Sequence, residues 1–247
     1  MRFFVDEPNK RCFILAPKCG NQTIAHYLKL DLHIKYTPEY INQILTNDSY
    51  LKLIIIRKDI YARFLSGFYE DLFNNTCYSN VNMTFNEYLL FLKYSFDNKI
   101  KNLNNLNYYD ANLDIPICFG NCNKTALPIT NARGIFQSHI SSQKYSISHL
   151  TSCIQGKNVK LIELDNLSNY LGTDVIINKL QNKTRQEYPC DINTFTRNVT
   201  LKDMKQNRWI INHSVLNDDE KSIIYHMYTE DIEFINEVEH KFEYLNM

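Results

Sequence analysis

Two short stretches of this chain carry residues able to hold an anion. The first is Pro17-Lys18-Cys19-Gly20-Asn21-Gln22-Thr23, which sets a cation, a residue without a Cβ and a hydroxyl close together. It follows an apolar run, Cys12 to Ala16, and leads into a pattern with Ile24, Tyr27 and Leu28 on one helical face. Strand, loop and helix in that order point free backbone N–H groups and a positive helix end at a ligand. A glycine in the loop lets the backbone turn tightly and approach an anion. An ordinary strand-to-helix turn with a solvated lysine uses the same residues, so both readings stay open on this segment alone. The second stretch is Arg57-Lys58-Asp59, directly after the apolar run Leu51 to Ile56 and before a helix with Ile60, Phe64 and Phe68 at i+4 spacing. Cations at a helix start oppose its dipole, a conflict that a bound anion removes. A solvated basic helix start is the plainer alternative.

The elements that must position these residues follow from periodicity. Arg11 to Ala16 and Leu51 to Ile56 read as strands, the second β-branched and almost uninterrupted, as a parallel strand covered on both faces should be. Val159 to Leu164 is a third strand. Helices are expected from Thr23 to Leu30, from Glu39 to Leu45 after the break at Pro38, and from Ile60 onward. Thr84 reads as the cap of a helix carrying Phe85, Tyr88, Leu89 and Leu92, and Asn217 as the cap of one carrying Ile223, Ile224, Met227, Tyr228 and Ile232. The repeated unit of strand, basic loop and helix predicts an α/β domain with parallel strands. The expectation is one domain over residues 1–247, with an irregular, Asn-rich insertion around 97–128.

Composition narrows the function class. The chain has 247 residues, 44% hydrophobic and 22% charged, enough for a sizeable core. Lys plus Arg equals Asp plus Glu at 27 each, which argues against a nucleic-acid footprint over the whole surface while leaving room for one basic pocket. The longest purely aliphatic run, Leu53 to Ile56, is far below the ~20 residues of a membrane helix. Met1 to Pro8 lacks the pattern of a signal peptide, so a soluble, cytoplasmic setting is expected, with the seven Cys as reduced thiols. Cys118 and Cys122 form one Cys-x-x-x-Cys pair without a second at matching spacing, so no metal site is expected.

The order of residues in the first loop discriminates between phosphate chemistries. A nucleotide triphosphatase loop needs Gly-x-x-x-x-Gly-Lys-Ser/Thr, with Lys after the second glycine. Here Lys18 precedes the loop's only glycine, Gly20. Pro17-Lys18-Cys19-Gly20-Asn21-Gln22-Thr23 instead resembles the loop with which sulfotransferases hold the 5′-phosphosulfate of 3′-phosphoadenosine 5′-phosphosulfate (PAPS). Ile54-Ile55-Ile56-Arg57-Lys58-Asp59-Ile60-Tyr61-Ala62-Arg63-Phe64-Leu65-Ser66-Gly67-Phe68 is similar to that family's 3′-phosphate element, Arg-x-Pro-x-x-Arg-x-x-Ser. The family's Pro is Ile60 here, and counting back from Ser66 puts Lys58 in the first Arg position, so either Arg57 or Lys58 takes the phosphate. His139-Ile-Ser-Ser-Gln143 resembles the His-x-x-x-Gln element of the carbohydrate branch, without its inner Trp and Pro. Leu161 to Leu167 and Tyr228 to Phe234 match two further family segments, and all five occur in the family's order.

The resemblance implies a P-loop NTPase-like, three-layer α/β/α fold with a central parallel sheet. It implies in-line transfer of a sulfuryl group from PAPS to an acceptor hydroxyl, on a carbohydrate, without a metal. Lys18 would stabilise charge on the leaving oxygen. Cys19, Gly20, Asn21, Gln22 and Thr23 would hold the 5′-phosphate, and Arg57 or Lys58 with Ser66 the 3′-phosphate. His139 would be the general base, with Glu39 a weaker candidate. The rival expectations are a catalytically degenerate nucleotide-binding or interaction protein of the same fold and a phosphate-loop kinase.

Overall fold

The computed structural model describes residues 2–16, 18–74, 83–97, 143–154, 158–172, 199–209, 211 and 213–245. Packing divides the chain into two compact units. The first is built from Met1–Asp59, Ser142–Thr184 and Thr229–Met247, the second from Ile60–Ser141 and Arg185–Tyr228.

The first unit holds a five-stranded sheet in the order β1-β2-β3-β4-β5. Its strands are β1 (Arg2–Asp6), β2 (Arg11–Leu15), β3 (Leu51–Ile56), β4 (Val159–Glu163) and β5 (Glu243–Tyr244). β2 to β5 pair parallel, as expected for the first three of them. β1 pairs antiparallel with β2, Arg2 opposite Leu15 and Asp6 opposite Arg11, so the sheet is mixed rather than purely parallel. The hairpin forms because Glu7-Pro8-Asn9-Lys10 is a turn: the Lys10 N–H donates to the Glu7 carbonyl at 3.2 Å, and Lys10 takes the positive φ of 48°. Cys12 to Ala16 and Lys52 to Ile56 are buried at every position. Successive side chains of a strand point to opposite faces, so unbroken burial means both faces are covered. The α/β class therefore stands, in an arrangement compatible with three layers.

Around this sheet run α1 (Asn21–Tyr27), α2 (Pro38–Thr46), α5 (Gln143–Cys153), α6 (Leu167–Leu171) and α9 (Thr229–Lys241). The second unit contains α3 (Ile60–Asn74), α4 (Phe85–Asp97), α7 (Leu201–Asn207) and α8 (Asp218–Met227). Phe64, Phe68, Phe85, Tyr88 and Tyr228 form its aromatic core. Thr84 and Asn217 cap α4 and α8 as the sequence suggests, the latter through a reciprocal bond with Glu220. The helix expected to run through Ile232 instead breaks at Tyr228, whose φ of −109° and ψ of 14° leave the helical region, and α9 starts afresh at Thr229. No helix among the described residues is long and apolar enough to cross a membrane.

Among the described residues the strands follow one another in chain order, without the reversal that opens a ligand crevice in a doubly wound sheet. What the topology supplies is adjacency. β2 and β3 are parallel neighbours with Leu15 opposite Ile55, so the segments leaving them emerge side by side at the C-terminal end of the strands.

Candidate anion-binding site

The segment after β2 is a strained turn. The Ala16 carbonyl accepts from the Cys19 N–H at 3.3 Å, which closes a four-residue turn with Lys18 in its third position at φ 64°. A positive φ there is the requirement of a type II turn, which glycine or asparagine meets without strain. For lysine the left-handed region costs about 1 kcal/mol or more. Gly20 then caps α1 with φ 86° and ψ 18°, no side chain caps the helix, and its first turn holds no acid. The first N–H groups of a helix have no acceptor within it. Lys18 is half-buried in this turn, and the Oδ1 of Asn21, the first residue of α1, is buried with no hydrogen-bond partner among the described residues.

Gly20 is needed for packing as well as for its dihedral. A Cβ there would lie 2.9 Å from both Leu164 Cδ1 and Leu167 Cδ2, in the turn that follows β4. The close approach that the glycine allows is thus to leucine side chains.

The end of β3 separates the two candidate cations. Lys58 Nζ lies 2.7 Å from the Glu239 carboxylate and 4.7 Å from the centre of the Tyr244 ring. The Glu239 hydrogen bond holds the Lys58 ammonium above its usual pKa range, with a smaller contribution from Tyr244. Burial pushes the Glu239 carboxyl up, but hydrogen bonds from Lys58 and Tyr244 outweigh it and leave the group below its usual range. The Arg57 guanidinium is half-exposed and, among the described residues, makes no hydrogen bond or ion pair. An arginine grips a phosphate through two parallel N–H donors, which a lysine does not.

Gln143 ties these pieces together. Its side chain is fully buried. Its Oε1 accepts from the Arg57 N–H at 3.0 Å and from the Cys19 thiol at 3.3 Å, while its Nε2 donates to the Arg57 carbonyl at 2.9 Å. The carboxamide therefore matches the Arg57 main chain on both sides and reaches across to the first loop. Its own main chain is fixed by Asp231 on α9, also fully buried, whose carboxylate accepts from the Gln143 N–H at 2.8 Å and the Lys144 N–H at 3.1 Å.

Of the residues singled out from the sequence, Lys18 to Thr23 and Arg57 meet at the ends of β2 and β3. Lys58 is there too, but its ammonium is engaged by Glu239. Ser66 lies half-buried on α3 in the second unit, where Arg63 is fully buried with its guanidinium 5.4 Å from the Tyr228 ring centre. His139, Cys118, Cys122 and the 97–128 insertion beyond Asp97 lie outside the described residues. Glu39 is exposed in the first turn of α2, where an acid complements the helix dipole. Among the described residues no cluster of His, Cys, Asp and Glu could hold a metal. Burial pushes the Cys12 thiol up to about 12, with Lys52 pulling weakly the other way.

The sequence flagged Gln143 and Asp231 only as members of two motifs. That they bond to each other, and that Glu239 competes for Lys58, has no local signal, because each partner is far away in the chain. Comparison with protein-family models, curated proteins and solved structures finds no match to this chain.

Proposed function

We propose that this chain is a PAPS-dependent sulfotransferase that sulfates a hydroxyl group, on a carbohydrate acceptor. The observation that carries the reading is the pairing of two cationic turns, at Lys18 and Arg57, on adjacent parallel strand ends joined through one buried glutamine. The donor set fits a nucleotide with two anionic groups: the Lys18 ammonium, the uncapped N–H groups opening α1 and an Arg57 guanidinium without a carboxylate partner among the described residues. The acceptor class rests on the likeness of the His139 to Gln143 element to the carbohydrate branch.

In this reading PAPS supplies the sulfuryl group, and the acceptor oxygen replaces the phosphate oxygen on sulfur. Lys18 stands against that leaving oxygen and offsets the charge it gains, a role for which a fixed cation is effective. The N–H groups of Gly20 to Thr23, with the Thr23 hydroxyl, hold the 5′-phosphate, and Arg57 holds the 3′-phosphate. His139 takes the acceptor proton, its ordinary pKa of ~6.5 suiting that task.

A second reading, a nucleotide-binding protein of this kind without transfer chemistry, is favoured by two observations. Lys58 is already paired with Glu239, and Gly20 faces leucines. Thermal unfolding with adenosine 3′,5′-bisphosphate or ATP, followed by transfer of label from radioactive PAPS to glycans, separates the possibilities. At ~100 times its dissociation constant the bisphosphate is expected to add ~2.7 kcal/mol of stability, an effect absent in Lys18→Ala. Stabilisation by ATP alone sinks the sulfotransferase reading in favour of a kinase. Stabilisation by the bisphosphate without transfer selects the second reading.

A further inference from the structure

We infer that Gln143 is a positioning residue that sets the two anion-binding turns relative to each other, acting through the Arg57 main chain and the Cys19 thiol. The inference rests on the anion-site reading above for its functional meaning, while the coupling itself is a property of the protein without ligand.

Three features carry it. The first is polarity. The Arg57 N–H must meet an acceptor and the Arg57 carbonyl a donor, and the Gln143 carboxamide provides both, at 3.0 and 2.9 Å, so its orientation is dictated by the peptide it faces. The second is sharing. The oxygen that accepts from Arg57 also accepts from Cys19, the residue between Lys18 and Gly20, so one atom links the first loop to the end of β3. The third is anchorage. Asp231 holds the Gln143 and Lys144 amides, so the glutamine backbone cannot drift to follow a change in either turn. Neither Gln143 nor Asp231 supplies a positive charge. Both would leave ligand affinity untouched if the turns held their geometry unaided.

Glutamate is an informative replacement because its protonated form reproduces the carboxamide, accepting from the Arg57 N–H and donating to the Arg57 carbonyl. Ionised, it cannot donate and sets a negative charge against that carbonyl. The Gln143→Glu variant is therefore expected to bind adenosine 3′,5′-bisphosphate with near wild-type affinity at acidic pH and progressively less well as pH rises. Taking the ratio to wild type at each pH cancels the titration of the ligand's own phosphates. Gln143→Met, similar in length but without the bonds, is expected to bind the bisphosphate about tenfold or more weakly at every pH, as loss of buried hydrogen bonds implies.

Hydrogen exchange on the unliganded variants tests the coupling without any ligand. In Gln143→Met the Arg57 amide and the amides of residues 18–23 should both exchange faster, while Leu53 to Ile55 in the strand interior keep wild-type protection. Wild-type protection in both turns of Gln143→Met overturns the inference, as does a wild-type affinity in that variant or a flat affinity ratio across pH for Gln143→Glu. If wild-type protein binds no bisphosphate, the sulfotransferase reading fails instead, and the exchange measurement alone decides whether Gln143 couples the turns.

Discussion

Asp231 caps a helix from 88 residues away: its carboxylate accepts the Gln143 N–H at 2.8 Å and the next amide, Lys144, at 3.1 Å. Helix caps are ordinarily supplied by the residue just before the first turn. Here a side chain on α9 does it, so the start of α5 and the position of α9 are fixed by the same pair of bonds.

Asp231→Ala removes the acceptor of two amides, one of them belonging to a fully buried residue. The expected loss is about 2–3 kcal/mol, with Asp231→Asn, which keeps one acceptor, closer to ~1 kcal/mol. Urea unfolding of the two variants checks the order. An alanine variant as stable as wild type contradicts the capping role.

Lys18 sits at φ 64°, where glycine is unstrained. Relief of that strain, offset by glycine's larger unfolded-state entropy, predicts that Lys18→Gly is between unchanged and about 1 kcal/mol more stable than wild type. The same variant should lose its stabilisation by adenosine 3′,5′-bisphosphate. A gain in stability with loss of binding is the mark of a residue kept in an unfavourable conformation for its charge.

Gly20→Ala should be costly on two counts: φ 86° is strained for alanine, and its Cβ would meet Leu164 and Leu167 at 2.9 Å. Leucine ends can give way, so the expected destabilisation is about 2–3 kcal/mol rather than loss of the fold. Chemical denaturation measures it, and a change below ~0.5 kcal/mol removes Gly20 from the list of positions that fix this turn.

Arg57 and Lys58 should separate in titration calorimetry with the bisphosphate. Arg57→Ala is expected to weaken binding about tenfold or more, whereas Lys58→Ala, whose ammonium is matched by Glu239, should change it by less than about threefold. The reverse order assigns the 3′-phosphate to Lys58.

Glu7, in the β1–β2 turn, accepts from the hydroxyls of Tyr40 and Tyr50 and pairs with Lys10. Those bonds, Tyr40 first, hold its carboxyl down from the ordinary 4.5 to about 2. A carboxyl depressed in the folded state stabilises fully above its unfolded pKa, and that contribution is lost as pH falls from about 4.5 toward about 2. Glu7→Gln should accordingly show a shallower fall in stability over that window, followed by circular dichroism. Identical acid limbs for variant and wild type would refute the assignment.

The strands that position the site were legible because Cys12 to Ala16 and Leu53 to Ile56 are apolar at every position, the pattern of burial on both faces. The loop after β2 was legible from Lys18 and Gly20, although the structure assigns the glycine's close contact to Leu164 and Leu167. β1 escaped notice because Arg2 to Asp6 has only three apolar residues between charges. The Pro8-Asn9 turn between two short runs was the available hairpin signal. β5 spans just Glu243 and Tyr244, too short for any periodicity. The bonds that organise the site, Gln143 to Arg57 and Asp231 to Gln143, join residues 86 and 88 positions apart. Such pairs follow from tertiary packing, which no window of sequence contains.

The first unit is assembled from three separate stretches of chain, and its site inherits that order of arrival. During synthesis the Lys18 turn and the end of β3 are made before the residues that join them. The glutamine that links them and the aspartate that anchors the glutamine come far later. A growing chain thus holds the two turns without their brace until residue 143 has been made, 86 residues after Arg57. Long-range closures of this kind slow folding and leave intermediates exposed. The link between the two turns is complete only once Gln143 has joined them and Asp231 has docked on its amide.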